Sequence, residues 1–392
     1  MMKNFDVGEL LRGAERATGL SDFGPDDFRP GLEALVNSMN AHGSVSDDRW
    51  QDAWDFLLRL LKNRLWFAQD LKDHPGILDQ QLLPPVTILP LPRTGSTKLQ
   101  RMLDASDSFQ PLLYWRMFMF ARIPGLKDGG AAERLQETKD FEKWLYAVCP
   151  DYIKGHPIFA EEADEEQILN RFTFRAPILT TMFYAPEATR WIGQSDLTPM
   201  YHYLQMQLKY LQWQFHRDRP RPWLLKSPTN VGNEDHLVEQ FGREQKFICP
   251  HRDPVNIVCS IVRTSEYTSS VYSDILKRNP QLAQEKARRM MQMLAAAAEQ
   301  HIRWRERNPD IEILDLSYEE INRNSVGVLR KVYDFLDLEL TPQIEQSVLG
   351  WEQDKERNRF ARNSYASEEF GLSDAQIREA FKSYVAGFSG LF

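Results

Sequence analysis

A short turn, residues 93–97, combines the side chains and the backbone freedom that oxyanion binding requires. It offers one positive charge, three hydroxyl groups and a glycine that lets the backbone turn tightly. A helix-forming segment, residues 98–106, follows directly. Free N–H groups at a helix N-terminus and the helix dipole both attract anions into such a turn. A phosphate or a sulfate is therefore predicted to bind there. The turn consists of Arg93, Thr94, Gly95, Ser96 and Thr97.

Two further cationic side chains stand at the ends of short apolar runs. Lys226 ends the first run, and Arg252 ends the next, just before Pro254. Ser260 follows Arg252 by eight residues, inside a predicted helix. Arg252 and Ser260 reach a common anion only if that helix packs back beside the strand, which a parallel sheet provides. Charge-assisted hydrogen bonds of this kind suit a phosphate dianion.

These three cationic turns share one arrangement, in which a strand is followed by a turn and a helix. Short runs rich in apolar and β-branched residues are typical of buried parallel strands. Repeated strand–turn–helix units build a parallel sheet whose strands all end at one edge. We therefore expect an α/β fold that gathers the turns at that edge. The predicted strands are Val86 to Leu91, Trp223 to Leu225, Lys246 to Cys249 and Ile311 to Leu316.

The turn by itself leaves its ligand open. A Walker A loop, G-x-x-x-x-G-K-[ST], needs a first glycine and a Gly-Lys pair, and the turn has neither. No apolar run ends in an obvious metal-holding carboxylate, which disfavours a P-loop kinase. An ordinary strand–helix turn, capped by its hydroxyls and carrying a solvated Arg93, explains the residues about equally well.

Three motifs in the same order resemble those of sulfotransferases that use 3′-phosphoadenosine 5′-phosphosulfate (PAPS). Residues 92–97 are similar to the family's 5′-phosphosulfate loop, P-[KR]-[ST]-G-[ST]-T. The Arg252 to Ser260 spacing is similar to its 3′-phosphate motif, and residues 223–228 resemble the W-x-L-K-S-P segment of the bacterial, cytosolic-type branch. The resemblance extends over most of the chain. It implies a P-loop-type parallel sheet flanked by helices, with an N-terminal helical extension and a helix-rich C-terminal part.

The same resemblance implies a transferase that moves the sulfuryl group of PAPS, its co-substrate, to a hydroxyl of a small or medium-sized apolar acceptor. Residues 93–97 would hold the 5′-phosphosulfate, and Arg252 with Ser260 would hold the 3′-phosphate. Lys226 would compensate the charge that develops on the leaving phosphate. This scheme requires no metal, because side chains supply the cations.

Both of the family's familiar positions for a general base hold residues that cannot accept a proton at neutral pH. Asn230 stands where relatives commonly have a histidine, and Arg116 stands where many bacterial members have a glutamate. Another group then serves, or the acceptor is acidic enough to need little help, or the protein binds nucleotide without turnover. The candidates for the base, in order, are Glu166 with Glu165, then His156 and His236.

Composition narrows the class of protein. The chain has 392 residues, of which 42% are hydrophobic and 27% charged, as in ordinary globular proteins. A net charge of −8 argues against nonspecific nucleic-acid binding. Its three cysteines have neither metal-type spacing nor a disulfide framework, residues 1–30 lack a secretory signal, and no apolar stretch is long enough for a membrane span. We expect a cytoplasmic protein with a small-molecule acceptor, and homo-oligomer formation is compatible with this.

The chain divides, by our prediction, into a helical flap over residues 1–80 and a sulfotransferase α/β domain over residues 81–392. Residues 109–121 form an apolar run that either lines an acceptor pocket or packs in the core. The acidic residues 161–166 are either a solvated helix face or bring a glutamate to the cleft. Late in the chain, the basic residues of 355–362 belong either to a lid over the nucleotide or to a solvated loop.

Overall fold

Four short parallel strands form the sheet at the centre of the computed structural model, which describes residues 4–354 and 365–392. The strands are β1 (Val86–Ile88), β2 (Leu224–Lys226), β3 (Lys246–His251) and β4 (Ile313–Ser317). Their order in the sheet is β2-β1-β3-β4. β1 pairs with both β2 and β3, so Thr87 stands opposite Leu225 on one side and Phe247 on the other. The carboxyl ends of the strands lie along one edge, as predicted.

Helices precede, connect and follow the strands. Three long helices come first: Val7–Thr18, Arg29–His42 and Trp50–Asp73. Between β1 and β2 lie Ser96–Asp104, Tyr114–Phe118, Ala131–Val148, Tyr152–Gly155, Gln167–Asn170, Pro177–Met182, Pro186–Gln194 and Thr198–Phe215. Glu234–Phe241 precedes β3, and Pro254–Ser270, Ile275–Arg278 and Pro280–Arg307 precede β4. The chain continues with Tyr318–Arg323, Ser325–Phe335, Pro342–Gln353, Asp374–Ala380 and Lys382–Phe388.

Apolar layers cover both faces of the sheet. On one face, Ile88 and Leu316 pack with Leu103 and Val328 from two flanking helices. On the other face, a larger cluster runs from the sheet into the N-terminal helices and includes Leu61. Burial on both faces explains why the strands are apolar rather than alternating in pattern. The predicted fold class, a parallel sheet flanked by helices with helical N- and C-terminal parts, is confirmed, whereas the division of the chain at residue 80 stays a prediction.

Local backbone chemistry sets several boundaries that differ from the sequence prediction. A helix was expected over residues 230–241, but the chain first makes a short 3₁₀ turn, Pro228–Asn230, and the α-helix begins at Glu234. Gly232 has a φ of +85°, in the left-handed region, which interrupts a right-handed helix. Strand β3 in turn runs two residues further than predicted and ends at His251.

The acidic stretch does not form a solvated helix face over its second half. Asp164, Glu165 and Glu166 have relative exposures of 1%, 6% and 0%. Residues 109–121 are mostly buried core, and Tyr114 among them also reaches the large cavity described below. The basic residues of 355–362 lie outside the described residues. Within the described ranges, every helix is too short or too polar to cross a bilayer.

Candidate active site

The turn after β1 has the backbone of an anion-binding loop. Arg93 and Gly95 both adopt left-handed conformations, with φ of 68° and 83°. Such a conformation is uncommon for a residue with a side chain, so Arg93 is held there by its surroundings. The Thr94 hydroxyl donates to the Leu91 carbonyl at 2.8 Å and closes the turn from inside. The helix that begins at Ser96 has no side-chain cap, which leaves its first N–H groups for a ligand.

Two arginines and a serine from distant parts of the chain meet at this turn. Arg93 Nε donates to Ser260 Oγ at 3.0 Å, and Arg252 Nη1 donates to the carbonyl oxygen of Arg93 at 2.9 Å. The Arg252 guanidinium lies over the ring of Tyr318, 4.0 Å from its centroid. Ser260 is brought within reach because Pro254–Ser270 packs back beside β3, as the spacing predicts.

These two arginines create a positive region that lacks a counter-ion in the described part of the chain. Burial lowers the pKa of Arg93, and the neighbouring charge of Arg252 lowers it further. Burial likewise lowers the pKa of Arg252. Neither forms an ion pair with a carboxylate within residues 4–354 and 365–392. Because arginine stays protonated at neutral pH, the site favours an anion.

A cavity of about 930 Å³ opens beside the turn. It is large enough for a nucleotide together with a second small molecule. Six of the residues predicted to bind the donor line it: Arg93, Gly95, Ser96, Thr97, Arg252 and Ser260. The structure does not place Thr94, Lys226 or Glu166 on its wall.

Lys226 does not line the cavity, because the Glu165 side chain lies between its ammonium and the cavity. It is completely buried, and its Nζ lies 2.7 Å from Glu165 Oε1. Glu165 lines the cavity, and its second oxygen accepts a hydrogen bond from Gln167. The ammonium of Lys226 is therefore linked to the cavity through its ion pair with Glu165.

Glu166 points away from the cavity and holds the end of β2. One of its oxygens accepts from the Lys226 backbone N–H and the other from Asn230 Nδ2, both at 2.6 Å. Asn230 in turn accepts from the Tyr201 hydroxyl at 3.1 Å. Burial raises the pKa of Glu166 to about 7, although both hydrogen bonds lower it. Of the two carboxylates, only that of Glu165 can therefore contact a ligand in the cavity.

His156 and Asp164 form a hydrogen-bonded pair on the cavity wall. His156 Nε2 lies 2.9 Å from Asp164 Oδ1. Burial alone disfavours the Asp164 carboxylate, but the charge and hydrogen bond of His156 outweigh this and hold its pKa well below the usual range. The preceding carbonyl, of Gly155, accepts from Arg93 Nη1 at 2.5 Å, which places His156 next to the anion loop. This is the geometry of a histidine oriented by a carboxylate.

Neither His236, the other histidine considered as a base, nor Arg116, at the second familiar base position, belongs to the His156–Asp164 pair. His236 lines the cavity but stacks on Tyr201 with ring centroids 5.3 Å apart. The guanidinium of Arg116 lies 3.2 Å from His216 Nε2 and over the Phe215 ring, away from the cavity.

Sequence reasoning missed two features of the site. Tyr318 was not singled out, although it directly follows β4 and so stands at the same sheet edge as Arg252. The pairing of His156 with Asp164 had no signal, because the two residues flank an irregular loop.

Ligand atoms of His156, Asp164 and Glu165 lie within 4.8 Å of one another, a spacing that a metal ion could use. However, Asp164 already pairs with His156, and Glu165 with Lys226. The expectation that no metal is needed stays a prediction.

A sequence model of the sulfotransferase family matches residues 84–342, about two-thirds of the chain. The chain belongs to the sulfotransferase family. The match covers all four strands of this sulfotransferase and both arginines of its anion site. The expected family is thereby confirmed, whereas the PAPS donor, the acceptor and the cytoplasmic location stay predictions.

Two solved structures share this sulfotransferase's fold over almost its whole length. Sulfotransferase STF9 from Mycobacterium avium is 24% identical, with a TM-score of 0.84 and 98% of each chain covered. Sulfotransferase STF1 from Mycobacterium tuberculosis is 21% identical, with a TM-score of 0.80, covering 98% of this chain and 100% of that one. At these identities the likeness establishes the fold alone. A search of curated proteins found no match.

Proposed function

We propose that this sulfotransferase moves the sulfuryl group of PAPS to a hydroxyl of a small or medium-sized apolar acceptor. One observation carries the proposal. Arg93, Ser260 and Arg252 are more than 150 residues apart at the extremes, yet they join in one hydrogen-bonded set at the mouth of an uncapped helix. The nucleotide PAPS carries anionic groups at both its 5′ and 3′ positions, and two cationic positions side by side suit such a ligand.

The residues present fit the donor. The N–H groups after Gly95, with the hydroxyls of Ser96 and Thr97, offer donors to a 5′-phosphosulfate. Arg252 and Ser260 offer charge and a hydroxyl to the 3′-phosphate, and the Tyr318 ring fixes the guanidinium plane of Arg252. A Cβ at Gly95 would require a left-handed residue with a side chain 3.3 Å from Tyr318, so glycine suits this position.

When bound, PAPS supplies a sulfuryl group that bonds to the acceptor oxygen as its S–O bond to the 5′-phosphate breaks, leaving adenosine 3′,5′-bisphosphate. Asp164 accepts a hydrogen bond from His156 Nε2, which orients the ring so that its Nδ1 can take the hydroxyl proton. Arg93 and the loop N–H groups stabilise charge on the leaving phosphate. Lys226 adds its positive charge near the leaving phosphate, and its ammonium moves closer to that phosphate when the ion pair with Glu165 breaks.

Apolar side chains also line the cavity, which supports an apolar acceptor body. Ile178, Leu197, Met200 and Leu294 are among them. We assign the base to His156 and keep Glu165 as the second choice, because both Glu165 oxygens already have partners. The earlier choice, Glu166, has a structural part in this scheme.

A nucleotide-binding protein without turnover is the alternative. It is favoured by the burial of Asn230 against Glu166 and of Arg116 against Phe215, since neither familiar base position faces the cavity. A P-loop kinase is disfavoured by the missing Gly-Lys pair.

Calorimetric titration with adenosine 3′,5′-bisphosphate, with ATP and magnesium as the control, tests the proposal. We expect tight binding of the bisphosphate in the presence of EDTA, followed by transfer of label from ³⁵S-PAPS to an apolar phenol or alcohol. Preference for ATP with magnesium would contradict the proposal. Bisphosphate binding without transfer to any acceptor would favour the non-catalytic alternative.

A further inference from the structure

One cation on the cavity wall, Arg171, is unusual. This residue belongs to the short 3₁₀ segment Arg171–Thr173, which continues the helix Gln167–Asn170. Arg171 is only 5% exposed and lines the cavity. Glu165 lines the same cavity six residues earlier in the sequence.

Other buried arginines of the protein donate hydrogen bonds to backbone carbonyl oxygens. Arg64 donates to Phe172 and Pro25, Arg101 to Ala163 and Pro157, and Arg134 to Met119 and Phe120. Arg171 has no such carbonyl partner and no carboxylate within ion-pair distance, as far as the described residues go. Its Nε is buried without a hydrogen-bond partner, a feature that Arg64, Arg134 and Arg175 share. Arg171 differs from them because no Nη of its guanidinium donates to a backbone carbonyl of the described residues.

The neighbours of the Arg171 guanidinium include two aromatic side chains and, among the described residues, no carboxylate within ion-pair distance. Its Cζ lies 5.9 Å from the ring centroid of Phe56. Tyr114 is its polar neighbour, and burial raises the pKa of that phenol even though the charge of Arg171 and a hydrogen bond with Arg171 both lower it. The phenol is therefore neutral and does not balance the charge. A buried guanidinium cannot shed its proton, and an unpaired buried charge is strongly destabilising. Arg171 thus lacks an anion that a ligand in the cavity would supply.

We propose that the acceptor carries a carboxylate, or an oxyanion of similar geometry, that pairs with Arg171 while its apolar body lies along the cavity wall. This inference rests on the proposed function, because it assigns this part of the cavity to the acceptor. The planar guanidinium binds such groups through two parallel hydrogen bonds. The hydroxyl that is sulfated then lies near His156, at the opposite end of the molecule from the anion.

Arg175 provides a matched control on the same wall. It lines the cavity and is 7% exposed, but its Nη1 donates to the Asp27 carbonyl at 2.5 Å and its guanidinium lies 5.4 Å from the ring centroid of Trp191. Because Arg175 already has partners, its replacement removes a cavity cation without removing the unpaired one.

The test compares two probes of equal length, 8-hydroxyoctanoate and 1,8-octanediol, titrated into the wild type and into Arg171→Met and Arg175→Met. We expect the hydroxy acid to bind the wild type at least about tenfold more tightly than the diol. Arg171→Met should remove that preference, and Arg175→Met should keep it. Arg171→Lys retains the charge and should keep part of the preference. It therefore separates loss of the charge from a folding defect in Arg171→Met.

Equal affinity for the two probes, failure of the hydroxy acid to bind, or an unchanged preference in Arg171→Met would each overturn the proposal. Adenosine 3′,5′-bisphosphate is titrated into every variant as a separate measurement, and the probes are tested with and without it. Failure of the bisphosphate to bind the wild type would count against the proposed function. The preference for the hydroxy acid over the diol tests the proposed role of Arg171 separately. A large loss of bisphosphate affinity in Arg171→Met would place this cation at the donor and also overturn the proposal.

Discussion

The ammonium of Lys226 lies 2.7 Å from Glu165 Oε1, and of these two side chains only that of Glu165 reaches the cavity. The strand that ends at Lys226 is buried on both faces, so the lysine has no other route to solvent. Its charge is available to a ligand only through the position of Glu165. The two side chains therefore form one unit, and in the proposed function binding of an anionic donor separates them.

Lys226→Met is expected to lower the free energy of unfolding by about 3 to 5 kcal/mol, because it leaves the Glu165 carboxylate without its buried partner. The double variant Lys226→Met, Glu165→Gln should recover part of that loss. Urea denaturation of the wild type, both single variants and the double variant measures the coupling. Additive losses would mean that the two side chains do not act as a pair.

His156→Asn should reduce kcat by about 10²-fold or more, the usual contribution of a general base, while the Kd for adenosine 3′,5′-bisphosphate stays nearly unchanged. The control is His236→Asn, which alters a cavity histidine that stacks on Tyr201. Steady-state kinetics with labelled PAPS and calorimetry separate the two effects. An unaffected kcat in His156→Asn would transfer the role to Glu165.

Arg252→Ala should weaken binding of adenosine 3′,5′-bisphosphate by about 2 to 4 kcal/mol, since a charge-assisted contact is lost and the Arg93 carbonyl loses its donor. Arg263→Ala is the matched control. Arg263 lies in the helix that follows Arg252, and it pairs with Glu266 and Glu369. Equal affinities of Arg252→Ala and Arg263→Ala would remove the 3′-phosphate assignment.

Glu166 predicts a pH dependence of stability. Its pKa is raised from the ordinary 4.5 to about 7 by burial, so the folded protein keeps this proton over a range in which the unfolded chain has lost it. Its contribution is therefore full below about pH 4.5, falls as the pH rises to about 7, and is constant above, a change on the order of 3 kcal/mol. Unfolding of the wild type and Glu166→Gln between pH 5 and 8 isolates it. Parallel profiles of the two proteins would contradict the raised pKa.

Much of the fold could be predicted because its signals are local. Apolar β-branched runs that end in a cationic turn mark β1, β2 and β3, and the eight-residue spacing of Arg252 and Ser260 is meaningful once a helix packs beside its strand. The strand limits are harder to predict, because Pro90 and Pro92 follow β1 in an apolar segment whose residues pair only as far as Ile88.

Details of the site depend on tertiary contacts that no periodicity encodes. Glu165 and Glu166 are adjacent in sequence, yet one lines the cavity and the other is fixed between the Lys226 backbone and Asn230. A short helix begins after them, so neighbouring residues point in different directions. The role of Arg171 could not be predicted for the same reason, since nothing in the sequence distinguishes an arginine that donates to backbone carbonyls from one that does not.

The contact of Arg252 with the Arg93 carbonyl has a consequence for the catalytic cycle. In the proposed function both arginines hold phosphate groups, and both phosphates remain on the nucleotide after the sulfuryl group has left. The spent nucleotide should thus compete strongly with fresh donor, and its departure should govern the turnover rate once acceptor is saturating. A cell that uses this enzyme would need to remove the bisphosphate for the reaction to continue.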